Sequence, residues 1–260
     1  MSTRPIGIFD SGIGGTSIFK EIHELLPNEN FIYLADSKNA PYGNKPKEEI
    51  LQLSIKNTEF LLKQDCKLIV VACNTATTNA INYLRSNYPV PFIGIEPAIK
   101  TAALNTKTNT IGILATKGTL SSDLFHKTTD LYRHNIKVIE QVGEGIVPLI
   151  EAGKTDSPEM KNLLNVYVKT MIDANIDHLV LGCTHYPYLI PMLSKMLPNQ
   201  VTIIDSGRAV AKQTKAVLEQ NNLFNTQIGT ATHHFYSNGN PEILKSILAN
   251  ELFLVAALDF

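Results

Sequence analysis

The chain has 260 residues, enough for one large domain or two ordinary domains with a buried core. Its apolar fraction of 44% and charged fraction of 18% exclude a disordered chain. The formal net charge is −1 and the basic residues are scattered, which argues against a nucleic-acid partner because binding to phosphates requires a basic face.

The amino-terminal segment runs directly into a strand pattern, without the apolar region and cleavage site of a signal peptide. No apolar run is long enough to span a bilayer, and the short apolar tail Leu252–Leu258 favours packing over anchoring. We therefore expect a cytoplasmic protein with no membrane partner and with reduced cysteines. Three cysteines cannot all pair, and their spacing does not resemble a zinc site, so we expect thiols and no metal.

Strand and helix patterns alternate along the chain. Helix starts are predicted at Pro46, which is followed by Glu48 and Glu49, and at Ser157-Pro158-Glu159. The predicted strands are Pro5–Phe9, Phe31–Ala35, Lys67–Ala72, Val90–Ile95, Asn109–Leu114, Ile136–Ile139, His178–Gly182, Val201–Asp205 and Thr230–Tyr236, the last before a terminal helix. This alternation predicts an α/β fold of βαβ units with mostly parallel sheets.

The two halves of the chain resemble each other in three strand segments. Their offsets of 105, 110 and 109 residues are nearly constant, which indicates two similar lobes. The matched pairs are Ile6–Gly12 with Ile111–Lys117, Ile69–Cys73 with Leu179–Cys183, and Phe92–Glu96 with Val201–Asp205. We expect two doubly wound lobes, residues 1–97 plus 208–260 and residues 98–207, with the active site in the cleft between them.

Two cysteines follow apolar runs, Cys73 in IVVACNTAT and Cys183 in LVLGCTHYP. Such runs predict buried parallel strands, and open α/β sheets bind ligands at the carboxyl ends of their strands. A helix that begins at the cysteine would lower the thiol pKa and favour the thiolate. By contrast, we interpret Cys66 as a small core residue.

The residues beside these cysteines carry hydrogen-bonding groups suited to a carboxylate or a carbonyl. Asn74 and Thr75 follow Cys73, whereas Thr184 and His185 follow Cys183. His185 could also exchange protons with the neighbouring thiol.

The segment DSGIGG follows the first strand and opens a helix, where backbone N–H groups can bind an anion. A carboxylate fits better than a pyrophosphate because the spacing matches neither dinucleotide nor phosphate loops. The alternative is a simple capped turn, although Asp10 would need a partner if buried. Two weaker candidates have equally plain alternatives: Asp36–Gly43 is a ligand-closing loop or an ordinary turn, and Glu151 is a site acid or a surface acid.

Four motifs in this order, DSGIGG, PYG, ACNTAT and LGCTHYP, resemble those of the glutamate racemases of bacterial cell-wall synthesis. The resemblance spans nearly the whole chain. Members of that family interconvert L- and D-glutamate without pyridoxal phosphate, using two cysteines on opposite faces of the α-carbon. The resemblance therefore implies an enzyme with glutamate as substrate and no cofactor, and a homodimer.

The resemblance also implies a role for each matching position. Cys73 and Cys183 would transfer protons, with Asp10 assisting Cys73, and with His185 and Glu151 assisting Cys183. The substrate-binding residues would be Asp10, Ser11, Tyr42, Gly43, Asn74, Thr75, Thr116, Thr119, Thr184 and His185. Asn240 and the pair Thr16-Ser17 depart from the family pattern, and we expect neither to touch the proposed chemistry.

Three other functions use the same features. An aspartate racemase would apply the same two thiols to a shorter side chain. A two-lobe protein that binds a dicarboxylate without reaction would keep the cleft and need neither thiol. A thiol–disulfide oxidoreductase would require Cys73 and Cys183 within bonding distance.

Overall fold

The computed structural model describes residues 2–225, 230–249 and 253–260 and contains two β-sheets. The strands of the described residues are β1 (Ile6–Asp10), β2 (Phe31–Ala35), β3 (Leu68–Val71), β4 (Phe92–Gly94), β5 (Thr110–Ala115), β6 (Lys137–Val142), β7 (His178–Gly182), β8 (Thr202–Ile204), β9 (His233–Ser237) and β10 (Leu254–Ala257).

Helices separate most of these strands. They are α1 (Thr16–Leu25), α2 (Lys47–Lys63), α3 (Asn74–Asn87), α4 (Ile99–Asn105), α5 (Lys117–Leu120), α6 (Asp123–Asp130), α7 (Ile146–Glu151), α8 (Pro158–Asp173), α9 (Ile190–Met196), α10 (Gly207–Gln220) and α11 (Pro241–Leu248). Both predicted helix starts are confirmed: Pro46 precedes α2, and the Ser157 hydroxyl caps α8 by accepting the Met160 N–H at 3.1 Å.

The sheets have the orders β10-β9-β2-β1-β3-β4 and β6-β5-β7-β8, and every described strand pair is parallel. In the first sheet β1 lies between β2 and β3, as β5 lies between β6 and β7 in the second. The predicted α/β class with two parallel-sheet lobes is confirmed. Strands β9 and β10 join the sheet of the amino-terminal strands.

The final strand, β10, was not predicted, because the sequence pattern indicated a strand and a helix as the last elements. Its four residues, LVAA, pair with β9 at the sheet edge and are mostly exposed. A short, exposed strand has no apolar alternation, so the pattern of its residues did not reveal it. Leu252 of the predicted apolar tail lies outside the described residues.

Helices pack on both faces of the first sheet. Phe9 and Val71 face a core shared with α2 and α3, whereas Ile8 and Tyr33 face a core shared with α1 and α10. The second of these cores continues into the carboxyl-terminal lobe. The lobes therefore share a hydrophobic core. This core holds the carboxyl ends of the strands of one lobe opposite those of the other. No helix among the described residues is long and apolar enough to cross a membrane.

Candidate active site

Residues from both lobes line one small cavity. Cys73, which follows β3, and Cys183, which follows β7, both line it. The full lining is Ser11, Pro41, Tyr42, Gly43, Cys73, Asn74, Thr75, Thr116, Val147, Cys183, Thr184 and His185. Ten of the predicted site residues line the cavity directly, and Asp10, Glu151 and Thr119 lie behind them.

Cys73 caps the amino terminus of α3. Its Sγ accepts the Ala76 N–H at 3.4 Å and lies 3.7 Å from the Ser11 hydroxyl, to which the thiol can donate. Burial and the negative charge of Asp10 raise the pKa of this thiol well above its usual value, although the Ala76 N–H lowers it. The expectation that the helix end favours the thiolate here is therefore wrong, because the loss of solvation outweighs it.

Asp10 ends β1 and is completely buried. Its carboxylate accepts the Gly15 N–H at 2.8 Å and the Thr184 hydroxyl, from the other lobe, at 3.4 Å. Burial raises the pKa of Asp10 from 3.8 to about 6, against the opposing influence of His185. The group can therefore change its protonation state near neutral pH.

Cys183, His185 and Glu151 form a chain of contacts on the opposite side. The Cys183 Sγ lies 3.7 Å from His185 Nδ1, and His185 Nε2 lies 2.6 Å from Glu151 Oε1. Burial lowers the pKa of His185, but hydrogen bonds to Cys183 and Glu151 outweigh it and hold this pKa well above 6.5. The arrangement favours an imidazolium that can stabilise a thiolate or give up a proton.

Glu151 ends α7 in the second lobe and is held by donors of the first. The Ile13 N–H donates to its Oε1 at 2.7 Å, and the Ser37 hydroxyl donates to its Oε2 at 2.9 Å. The alternative that Glu151 is only a surface acid is wrong, because its side chain is 15% exposed and has three partners.

Asn74 has a feature that points to a ligand. Its side chain is buried against the cavity, yet neither the amide nitrogen nor the amide oxygen has a hydrogen-bond partner within the described residues. Burying an amide without a partner costs about 1–3 kcal/mol. A polar ligand in the cavity would remove that cost.

Three threonine hydroxyls meet at one end of the cavity. Thr75 Oγ1 lies 2.8 Å from Thr116 Oγ1 and 3.3 Å from Thr119 Oγ1, and the last two lie 3.0 Å apart. Thr75 and Thr116 line the cavity, whereas Thr119 is fully buried behind them. Its position is that of a support for the other two hydroxyls.

The loop after β2 places Tyr42 and Gly43 in the cavity wall. The Tyr42 hydroxyl donates to the buried Asp36 carboxylate and accepts the Asn57 side-chain N–H at 3.1 Å. Asp36 also accepts side-chain N–H groups of Asn39, at 2.8 Å, and of Asn238. These bonds make the loop an organised part of the site rather than an ordinary turn.

Sequence reasoning missed four residues at or near the cavity: Pro41 and Val147 in its wall, and Ser17 and Ser37 next to it. The Ser17 hydroxyl donates to the Thr184 carbonyl oxygen at 2.9 Å, so Ser17 contacts the backbone of a residue that lines the cavity. Ser37 and Pro41 belong to the candidate loop Asp36–Gly43, and Val147 precedes Glu151 on the same helix, so these segments were signalled although the individual residues were not.

All three cysteines are free thiols, and Cys66 lies in the core, where burial raises its pKa to about 12. Across residues 2–225, 230–249 and 253–260, no group of three or more His, Cys, Asp or Glu side chains is arranged to hold a metal ion.

Comparison with known proteins gives the same family from sequence and from structure. The profile of the Asp/Glu/Hydantoin racemase family matches residues 6–214. A glutamate racemase of Ectopseudomonas mendocina is 44% identical over 248 residues, which are 95% of this chain and 94% of the relative. Glutamate racemase RacE1 from Bacillus anthracis superimposes with a TM-score of 0.88 at 29% identity over 99% of this chain and 98% of that one. The glutamate racemase of Francisella tularensis in complex with D-glutamate superimposes with a TM-score of 0.86 at 30% identity, over 100% of this chain and 98% of that one. This chain belongs to the Asp/Glu/Hydantoin racemase family.

Proposed function

We propose that the protein interconverts L- and D-glutamate by removing the Cα proton on one face and returning a proton on the other. Cys73 and Cys183 are the two proton-transfer residues. The observation that carries this proposal is that two thiols from different lobes line one small cavity. Racemisation requires a base and an acid on opposite faces of one carbon, and two similar lobes that face each other supply them.

The proposed reaction moves only protons. The thiolate of one cysteine takes the Cα proton and becomes a thiol, and the thiol of the other gives its proton to the opposite face and becomes a thiolate. The two cysteines exchange roles in the reverse direction. This chemistry requires no other reactant, and we propose that it proceeds without a cofactor.

The neighbouring groups divide between the two thiols. Asp10 assists proton transfer at Cys73, since its negative charge bears on that thiol and its pKa of about 6 allows it to change charge. His185, held by Glu151, assists Cys183. Each lobe thus supplies one thiol and the acid or base that assists proton transfer at that thiol.

The cavity must also stabilise the carbanion-like transition state, because a Cα proton next to a carboxylate is weakly acidic. Donors aimed in advance at the substrate, in a site closed to water, provide this electrostatically. Asn74, with its unpartnered amide, and the hydroxyls of Thr75 and Thr116 are suited to hold carboxylates. Ser11, Tyr42, Gly43 and Thr184 complete the proposed binding surface.

The names of the relatives support glutamate as the substrate. We further propose that the product D-glutamate serves peptidoglycan synthesis in the cytoplasm and that the enzyme acts as a homodimer. Sedimentation of the purified chain over a range of concentrations tests the dimer, which a strictly monomeric mass would contradict.

The test of the function is racemisation without any added cofactor. Purified, reduced protein in D₂O should abolish the optical rotation of L-glutamate and introduce deuterium at Cα, as measured by polarimetry and proton NMR. L-Aspartate is the matched control substrate. Faster reaction of aspartate would indicate an aspartate racemase. Calorimetric binding of glutamate with unchanged rotation and no deuterium uptake would indicate a dicarboxylate-binding protein and contradict the proposal.

A further inference from the structure

Ser37 does not line the cavity, yet it is linked to the chemistry through a single carboxylate. It follows β2 and begins a turn of 3₁₀ helix, Ser37–Asn39, in the first lobe. Its hydroxyl donates to Glu151 Oε2 at 2.9 Å, while Glu151 Oε1 lies 2.6 Å from His185 Nε2. The hydrogen bonds therefore run from Ser37 through Glu151 to His185, and His185 Nδ1 lies next to the Cys183 sulfur.

The position of Glu151 in its helix makes its carboxylate dependent on hydrogen-bond donors. It is the last residue of α7, and the carboxyl end of a helix is unfavourable for a negative charge. Both oxygens of its carboxylate receive a donor from the first lobe, Oε1 from the Ile13 N–H and Oε2 from Ser37. Of these two donors, Ile13 uses its backbone N–H and Ser37 uses its side chain. The Ser37 hydroxyl can therefore be removed by mutation without altering the backbone.

The loop that carries Ser37 also carries a wall of the cavity. Asp36, directly before it, accepts hydrogen bonds from Tyr42 and Asn39, and Tyr42 lines the cavity. Movement of this loop would therefore shift Tyr42 and the Ser37 hydroxyl together. The loop that forms this wall of the cavity thus also supplies the donor that holds Glu151.

We propose that Ser37 is a positioning residue for proton transfer at Cys183, whose hydroxyl fixes Glu151 against His185 when the loop after β2 meets the second lobe. The half of the site that uses Cys183 is then assembled by lobe contact. This inference rests on the proposed racemisation for its kinetic consequences. The titratable groups that face His185 are Asp10 from β1, Glu151 from α7 and Cys183 after β7.

The first experiment compares Ser37→Ala with Ser37→Thr, which keeps a hydroxyl. Removing a hydrogen bond to a charged group should lower kcat for glutamate roughly tenfold in Ser37→Ala, with KM changed by less than about twofold, and Ser37→Thr should restore most of the loss. The pH profile of kcat/KM should also shift in Ser37→Ala. Ser246→Ala is the matched control and should leave all parameters unchanged, since that hydroxyl is exposed and donates to the Ile243 carbonyl within its own helix.

The second experiment tests whether Ser37 acts through Glu151. In a Glu151→Gln background, Ser37→Ala should lower kcat by less than about twofold, because the carboxylate it positions is already gone. An equal loss in both backgrounds, or a Ser37→Ala variant with the kcat and pH profile of the unmodified protein, would overturn the proposal. A merely structural role would lower the melting temperature and leave the pH profile in place.

A third readout does not depend on racemisation. Iodoacetamide alkylation, followed by peptide mass spectrometry, reports the reactivity of each cysteine separately. Ser37→Ala should slow alkylation of Cys183 relative to Cys73 by a factor of roughly three to ten, because His185 is less well held and stabilises the thiolate less. An unchanged ratio would contradict the positioning role. If the unmodified protein does not racemise glutamate, the proposed function fails, and this ratio still decides the role of Ser37.

Discussion

The hydroxyl oxygens of Thr75 and Thr116 lie 2.8 Å apart, across the two lobes of the protein. Thr75 lies in the first turn of α3, and Thr116 follows β5 and caps α5. Both side chains line the cavity, so their hydroxyls can turn from each other towards a bound carboxylate. We therefore expect this pair of side chains to serve both lobe contact and substrate binding.

Replacing Thr116 with valine should therefore weaken binding more than chemistry. The change keeps the shape and removes the hydroxyl, so KM for glutamate should rise roughly tenfold while kcat falls less. Thr116→Ser keeps the hydroxyl and is the matched control. Steady-state kinetics measure both parameters, and an unchanged KM in Thr116→Val would contradict this assignment.

Each of the two cavity cysteines should be indispensable for racemisation. Cys73→Ser and Cys183→Ser should each lower kcat by roughly a thousandfold or more, because a hydroxyl is a far weaker acid than a thiol at the working pH. Cys66→Ala is the control: it should keep kcat and lower the free energy of unfolding by about 1 kcal/mol. Polarimetry and urea unfolding provide the measurements. Full activity of either serine variant would exclude the two-thiol mechanism.

Asp10 should make the free energy of unfolding fall as the pH rises. Its pKa is about 6 in the folded state against 3.8 for a free carboxyl, so the folded state binds this proton more tightly. Stability is therefore lost between these pH values, and the full loss, about 3 kcal/mol, is present above pH 6. Asp10→Asn should be more stable than the unmodified protein above pH 6 and nearly equal to it close to pH 3.8. Urea unfolding at both pH values decides this, and equal stability above pH 6 would contradict it.

Ionisation of Asp10 should also influence the pH dependence of kcat/KM. If the ionised form assists Cys73, kcat/KM for glutamate should fall as the pH drops through about 6. Asp10→Asn should be slow at every pH and should lack this limb of the profile. A profile with the same limb in Asp10→Asn would assign it to another group.

Gly14 should be required for the position of His185. A Cβ on Gly14 would lie 2.3 Å from His185 Nδ1, the atom that faces Cys183, so the imidazole would have to move. Displacing a catalytic group by about 1 Å can lower kcat by roughly a hundredfold, and we expect this for Gly14→Ala.

Gly7→Ala provides the contrast for this prediction. A Cβ there would meet Cys66 and Leu61 at 3.0 Å in the core, and neither residue lines the cavity. That variant should have a lower melting temperature and a nearly unchanged kcat. An unchanged kcat in Gly14→Ala would contradict the prediction and would show that His185 has room to move.

Much of the fold was predictable because it is encoded locally. The apolar runs that precede Cys73 and Cys183 are buried strands, as continuous hydrophobic patterns indicate. The repeated order of these strands predicted two parallel-sheet lobes, and the positions of the cysteines after them predicted a cleft between the lobes with one cysteine from each. The exposed strand β10 was not predicted because its residues lack any such pattern.

The sequence by itself thus determined which residues end buried strands, and so which thiols and carboxylates are available for chemistry. Only the tertiary structure decided that Ser37 holds Glu151 and that the pKa of Cys73 is raised rather than lowered. The physical reason is that hydrophobic periodicity reports burial within one element. Proton affinity depends instead on the balance between lost solvation and charges contributed by segments far apart in the chain.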